Sequence, residues 1–436
     1  MGFLARMAAV RKNPIAGWGP EAYREDYVAF RLRGRGAFAF NTPDAIQHVL
    51  IHNQENYLRT PGTRRMLLPI LGDGLLLAEG AAWKLQRRTL SPGFTPRAVT
   101  QLVPLFVSVI DEAIAKCEGL CGRAIDLHGE MARMTLNIVG RAMFSLDLDK
   151  RGSAVRELIA EYCSRVSRPS FLELVLPFNW PTPQAVVRAR FRRKWARFIR
   201  ELIAERRATV TDEGEPRDLF DLIVSARDPE TGQGFSDAEI TDQVATLVVA
   251  GHDTTALTLF WALYLLALDR AAQETLASEV HELTKNDEFD IGRLIFTRAV
   301  LDETMRLFPP TFTMVRVAAG PDEVSGVQIA QNDIVYIAPG LIHRHEKLWQ
   351  NPNAFMPTRF MPPAVPPGRF SFLPFGVGPR VCIGANFALV ESTLALAKIV
   401  GAFRVELVSR QPVMPIANVT TQPDHSPSFR IERRRP

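Results

Sequence analysis

Apolar positions recur at helical spacing over most of the chain between about residue 42 and residue 308. Two stretches break that rhythm. From Tyr27 to Phe40, Val28, Phe30 and Leu32 alternate with Ala29 and Arg31, and Gly34-Arg35-Gly36 supplies a turn, which predicts a β-hairpin with one apolar face. A second strand-rich patch runs from Val324 to Ala338 around Gly326 and Asn332. Thr42-Pro43 reads as an N-cap with proline at the first helical position. A proline-rich coil that includes Pro352, Pro357, Pro362 and Pro374 precedes a last helix at about Gly384 to Val400, and the tail returns to strand and turn. Helix dominates, the strands cluster at the two ends, and no repeat or flexible linker divides the chain. The pattern predicts one α+β, mostly helical domain over residues 1–436.

One element is defined at both ends. Ser236-Asp237-Ala238-Glu239 is a capping box, and helical spacing continues to Leu268. A helix over 237–268 is about 48 Å long at 1.5 Å per residue, enough to cross a domain. Its second half is apolar on nearly every face, so it belongs in the core. Yet its middle reads Ala250-Gly251-His252-Asp253-Thr254-Thr255. Glycine, an acid and two threonines are poor choices there. Thr254 and Thr255 are placed to bond back to the carbonyls of Ala250 and Gly251. Two readings stand: a local irregularity made for packing, or a polar site facing a ligand.

Composition narrows the class. The chain is 47% hydrophobic and 23% charged, which excludes disorder for the bulk of it. With 52 basic and 47 acidic residues the net charge is only +5, which gives no support to nucleic-acid binding. Cys117, Cys121, Cys163 and Cys382 form no C-x-x-C pair, so neither a disulfide scaffold nor a zinc ribbon is expected. The apolar run at Met7–Val10 is short and flanked by Arg6, Arg11 and Lys12, unlike a secretion signal. Thr254 to Leu268 is the longest uncharged apolar stretch and falls short of the ~20 residues of a membrane span. A cytoplasmic protein without a transmembrane anchor is expected.

The sharpest chemical signal is Phe375-Gly376-Val377-Gly378-Pro379-Arg380-Val381-Cys382-Ile383-Gly384. Two glycines bring backbone close to something flat or bulky. Cys382 stands just before a helix, whose first amide groups should lower its pKa and favour thiolate. Arg380 is placed to reach an anion. Phe375, Gly378, Arg380, Cys382 and Gly384 fill every fixed position of F-x-x-G-x-R-x-C-x-G. Here the chain resembles the cytochrome P-450 family of haem-thiolate monooxygenases, of the soluble bacterial type.

Four more motifs follow the family's order. Glu303-Thr304-Met305-Arg306 matches E-x-x-R, and Phe355 to Phe360 resembles F-x-P-x-R-F, whose arginine is Arg359. The resemblance implies a buried Glu303–Arg306–Arg359 lock behind the cysteine loop. Ala250 to Thr255 matches the oxygen-activating A-G-x-D-T-T, and Trp83 to Arg87 matches W-x-x-x-R, whose tryptophan and arginine meet a haem propionate. Arg316 stands where the family often places another propionate contact. Implied, then, are haem b as cofactor and Cys382 as the axial metal ligand. Arg380, Trp83, Arg87, Arg316, Phe375, Gly376, Gly384, Ala250 and Gly251 surround the cofactor. Asp253 and Thr254 deliver protons to bound O2.

The resemblance also implies the reaction: one oxygen atom of O2 enters an apolar small molecule and the other leaves as water. No flavin or iron–sulfur motif is visible, so a ferredoxin or flavodoxin with its reductase is expected to supply electrons to a monomer. Lys84 and Arg88 are candidates for docking it. Pocket walls are expected from Leu67, Leu68, Leu75, Leu76, Leu77, Phe171, Leu172, Leu174, Phe178, Trp180, Phe312, Met314 and Val315, a set that admits fatty acids, terpenoids, steroids or aromatics. Arg59 reads as a solvated arginine, with a substrate carboxylate as the other option. His252 and His343 read as structural. The arginines from Arg188 to Arg200 read as a solvated basic helix face. The same fold performing a rearrangement, and a haem sensor without turnover, are the competing functions.

Overall fold

A computed structural model describes residues 13–32, 34–146, 152–167, 173, 180, 182–208, 218–228, 232–284, 290–417 and 419–434. The helices that build the site are α1 (Pro61–Leu71), α2 (Gly80–Leu90), α3 (Pro96–Glu118), α4 (Leu127–Phe144), α5 (Pro183–Ala208), α6 (Asp237–Leu268), α7 (Arg270–Thr284), α8 (Ile295–Leu307) and α9 (Ala385–Ala402). Strands stay at the margins of this mostly helical α+β domain. A five-stranded sheet has the order β1-β2-β8-β5-β3, formed by β1 (Tyr27–Leu32), β2 (Arg35–Phe40), β3 (Tyr57–Arg59), β5 (Met314–Ala318) and β8 (Ile334–Ile337). β4 (Ala124–Ile125), β9 (Phe403–Leu407) and β12 (Phe429–Arg433) form a second sheet, and β6 (Asp322–Val324) with β7 (Val327–Ile329), and β10 (Pro415–Ala417) with β11 (Thr421–Pro423), are hairpins.

The hairpin at Tyr27–Phe40 forms with Tyr27 opposite Phe40. Its expected apolar face does not: Phe30 and Leu32 are exposed, because β1 is an edge strand. The buried residues lie on β2, namely Ala37, Ala39 and Phe40. Phe30 is covered only in part, by the rings of Trp18 and Tyr336. β3 and β4 fall inside the region whose spacing reads as helix, since strands of two or three residues carry no detectable period.

The central helix α6 spans Asp237–Leu268, with Ser236 Oγ accepting from the Glu239 N–H and Glu239 Oε2 accepting from the Ser236 N–H at 2.8 Å. It runs through the core against α4. A side chain at Gly251 would place its β-carbon 2.9 Å from Val139 of α4, so this glycine permits the close approach of the two helices. Further along α6, Trp261 stacks on Phe308 with ring centroids 4.0 Å apart. Two helices, Pro96–Glu118 and Ala385–Ala402, are long and apolar enough to cross a membrane by length and composition. The sequence reading passed over them because it tracked uncharged runs, and both helices carry isolated charges. Here they pack on each other, Phe106 against Phe387 at 4.8 Å between ring centroids.

The base on which the cysteine loop rests is a saturated ion cluster. Arg306 Nε and Nη2 donate to the two Glu303 oxygens at 2.6 and 2.8 Å. Its remaining N–H groups donate to the carbonyls of His343, Pro352 and Ala354 at 2.6–2.9 Å. All five guanidinium hydrogens are thus used. Arg359 Nε and the Met356 N–H add donors to Glu303 Oε1 at 3.3 and 2.8 Å. Burial pushes His343 down to about 3, so its ring is neutral. Its Nδ1–H faces the Met305 carbonyl at 3.3 Å, and its Nε2 accepts the Leu373 N–H at 2.7 Å. The cluster therefore reaches the start of the cysteine loop through His343. Glu303→Gln leaves Arg306 charged in a dry interior. The loss should be about 3–5 kcal/mol, read as a fall in the urea midpoint. A midpoint equal to that of the parent would contradict this account.

Candidate haem-thiolate site

Cys382 closes its own loop: its N–H donates to the Phe375 carbonyl at 2.9 Å. The turn requires φ of +73° at Gly376 and +77° at Gly378, and a side chain at Gly378 would lie 2.4 Å from the Leu50 carbonyl. The Cys382 side chain is accessible yet enclosed on most sides by protein, so it lines an internal space. Burial pushes its thiol upward, against the Gly384 N–H and the Arg87 charge, which pull it down. This corrects the expectation that the helix start alone favours thiolate. The amide acts in the expected direction and burial outweighs it.

Arg87 reaches the cysteine loop from α2. Its Nη1 donates to the Val381 carbonyl at 2.8 Å, beside Cys382. The arginines that gather elsewhere are Arg59, Arg316 and Arg380. Antiparallel pairing of β3 with β5 sets Arg59 directly opposite Arg316. Arg59 Nη1 donates to Glu79 Oε1 at 2.9 Å, and Arg380 pairs with Glu79 Oε2. Arg380 also donates to the Ala78 carbonyl at 2.7 Å and lies over the Trp83 ring at 4.2 Å from its centroid. Burial first, and Arg59 second, push both Arg316 and Arg380 down to about 10. Three guanidinium groups sharing one carboxylate leave two positive charges to be met. Arg59 and Glu79 are members that the sequence reading missed. Arg59, read there as solvated, has a side chain only 12% exposed.

The central helix α6 is less buried where its sequence is polar. Ala250 is exposed, and Gly251, Asp253 and Thr254 are half-buried, on a helix otherwise deep in the core. Thr254 Oγ1 donates to the Ala250 carbonyl at 2.9 Å and Thr255 Oγ1 to Gly251 at 3.2 Å. His252 is buried, with Nδ1 2.7 Å from the Val248 carbonyl, and burial pushes its pKa down. Gly251 therefore serves packing, while Ala250, Asp253 and Thr254 keep accessible surface in the middle of a core helix, as the reading of a polar site requires.

These residues fit a haem. A thiol stands as the soft ligand on one side. A doubly cationic edge matches two propionates, and a glycine-rich loop and a bare stretch of helix leave room for a flat ring. Phe375 and Gly384 are half-buried beside the same loop.

The substrate and partner surfaces are less complete. Leu67, Leu75, Leu77 and Phe312 are buried, Leu68, Met314 and Val315 half-buried, and Leu76 and Trp180 exposed. Phe171, Leu172, Leu174 and Phe178 lie outside the described residues. Lys84 and Arg88 are exposed, each within 3.8 Å of a carboxylate, Glu55 and Asp228. On α5, Arg190, Arg193, Arg197 and Arg200 are exposed as expected, but Arg188 is buried against Glu173 and the Val166 carbonyl, and Arg192 reaches the Leu68 carbonyl at 2.7 Å. A face read as wholly solvated thus fastens α5 to α1.

Known proteins share this architecture. The family pattern described as Cytochrome P-450 matches residues 21–427. Cyclooctatin synthase of Streptomyces melanosporofaciens is 33% identical over 405 residues, covering 89% of this chain and 85% of that protein. Cyclooctat-9-en-7-ol 5-monooxygenase of the same organism is 28% identical and covers 93% of this chain and 88% of that one. The crystal structure of the cytochrome P-450DA heme domain superposes with a TM-score of 0.81 at 24% identity, covering 94% of this chain and 90% of that chain. Replacing Arg316 with Gln removes one of the two uncompensated charges. It should weaken retention of a haem roughly tenfold, the scale of a charge-assisted hydrogen bond, seen as a lower pigment-to-protein absorbance ratio after dialysis. An unchanged ratio would remove Arg316 from the site.

Proposed function

We propose, from the premise that this chain belongs to the cytochrome P-450 family, that it oxygenates an apolar, sparsely functionalised substrate at the space between Cys382 and α6. The enzyme is a cytochrome P-450 monooxygenase and its cofactor is haem. Our reading makes that cofactor haem b, with Cys382 as the residue that would ligate its iron and Arg59, Arg316 and Arg380 as those that would hold the propionates. When bound, it supplies the chemistry that splits O2. The balance is one substrate C–H, one O2, two electrons and two protons giving one C–OH and one water.

The chain's residues do the rest. The loop from Phe375 to Gly384 fixes the sulfur. Asp253 carries protons inward, and the Thr254 hydroxyl, already bonded to the Ala250 carbonyl, receives and orients them where α6 faces the interior. The apolar residues around the space exclude bulk water, which protects the oxidising step from side reactions. The observations that support this reading are an enclosed cysteine beside an arginine trio that shares one carboxylate, and a polar break in a core helix. The two Streptomyces relatives include one named for oxygenating cyclooctat-9-en-7-ol. That name and the apolar surroundings support a cyclic terpenoid alcohol or a similar hydrocarbon skeleton. We read the protein as a cytoplasmic monomer served by a separate ferredoxin or flavodoxin and its reductase.

Two measurements check these points. In isotopically labelled O2, one labelled atom should enter the product and one the water. A product without label would establish a rearrangement instead. For the electron donor, Arg88→Glu should slow reduction by an acidic ferredoxin about tenfold at low salt and flatten its salt dependence. Equal rates and equal slopes would reject docking at this face.

A further inference from the structure

The acid in the middle of α6 has a partner that lies outside its own motif. Thr420 precedes β11 at the tip of the C-terminal hairpin, and its Oγ1 lies 2.9 Å from Asp253 Oδ2. An ionised carboxylate only accepts, so the hydroxyl donates. Gln422 Nε2 approaches the same hydroxyl at 3.4 Å from the other side, which leaves the Thr420 proton directed at Asp253. Thr420 is itself buried, with 8% of its surface exposed. Among the described residues, Thr420 is the one side chain hydrogen-bonded to the Asp253 carboxylate, so Oδ1 remains open to the half-buried space.

The hairpin that carries Thr420 does not drift relative to α6. The Thr421 N–H donates to the Pro310 carbonyl at 3.0 Å, and its Oγ1 donates to the Pro309 carbonyl at 2.6 Å. The Thr421 carbonyl accepts from Trp261 Nε1 at 3.0 Å. Trp261 belongs to the same helix as Asp253, about 12 Å further along. The adjoining strand is tied down as well, since Asn13 bonds both the Pro415 carbonyl and the Ala417 N–H. A hydroxyl on so constrained a turn fixes a carboxylate that would otherwise sample several rotamers.

We infer that Thr420 is the positioning residue for Asp253: it holds Oδ2 and so presents Oδ1 to the proton path that ends at Thr254. This rests on the reading of Asp253 as the proton-delivering acid. In this arrangement the hairpin sets the efficiency with which O2 reduction leads to product rather than to hydrogen peroxide. Among the described residues, the hydrogen bonds of the Thr420 hydroxyl go to Asp253 and Gln422, not to the cysteine loop or the arginine cluster.

The test uses the haem-loaded enzyme with a surrogate ferredoxin and reductase, with and without cyclooctat-9-en-7-ol as the probe. Two quantities are read: the share of consumed electrons released as hydrogen peroxide, and the solvent deuterium isotope effect on NADPH oxidation. Thr420→Val keeps the shape and removes the donor. It should raise the peroxide share about three- to tenfold and enlarge the isotope effect, within the range of a lost proton-transfer contact. Thr420→Ser should restore both, and Asp253→Asn should reproduce the Val phenotype. The double variant should be no worse than Asp253→Asn alone, because the two groups act as one unit. Haem content should be equal throughout; if Thr420→Val loses it, Thr420→Ala against Thr420→Ser carries the comparison. An altered Asp253→Asn beside an unaltered Thr420→Val overturns the inference about Thr420. An unaltered Asp253→Asn overturns the reading of Asp253 itself. A Ser variant as impaired as Val reduces Thr420 to a packing residue and also overturns the inference.

Discussion

A sulfur atom that burial drives toward the neutral thiol, placed where the chemistry needs a thiolate, is the constraint around which the molecule is arranged. The polypeptide answers it only in part, with one N–H from Gly384 and the nearby charge of Arg87. In the proposed reading, the iron of a bound haem would supply the rest. Everything near Cys382 then serves to keep the sulfur at one position. The Phe375 carbonyl closes the loop, Gly378 lets it lie against Leu50, and His343 connects Leu373 to the buried Glu303–Arg306 pair. The pair is costly to bury. It persists because every donor on Arg306 has an acceptor, and such saturation favours one arrangement over its neighbours.

The arginine cluster poses the matching problem for positive charge, at what the proposed reading makes the cofactor's edge. Arg316 and Arg380 are both held below their ordinary range, a destabilisation of the charged form that a bound dianion relieves. Cofactor binding and protein stability are thereby linked. On the opposite wall, α6 gives up regular helix chemistry over a few residues. Gly251 lets α4 approach, while Ala250, Asp253 and Thr254 keep accessible surface, so a single stretch of sequence serves packing and, in the proposed reading, proton supply.

What could be read from the sequence was what is local in it. The capping box, the bounds of the central helix, the cysteine loop and the Glu303–Arg306 spacing all lie within one element or one turn, and the structure presents each as expected. The Tyr27–Phe40 hairpin was legible, but its buried face was not, because the inside of an edge strand depends on which strands lie beside it. Arg59 was read as solvated and Glu79 was passed over for a related reason. Arg59 meets Arg316 by strand register and Arg380 by way of Glu79, contacts that span hundreds of residues. Thr420 lies 167 residues from Asp253, with no motif joining them. The placement of Arg87 beside Val381 likewise followed from packing of α2 on the cysteine loop.

The most direct test of this account is the carbon monoxide difference spectrum of the reduced protein, compared between the parent chain and Cys382→His. The account predicts the red-shifted band of thiolate ligation in the parent. It predicts loss of that band in the variant, whether or not pigment is retained. The same red-shifted band in Cys382→His would show that another group ligates the iron, and would contradict the account at its root.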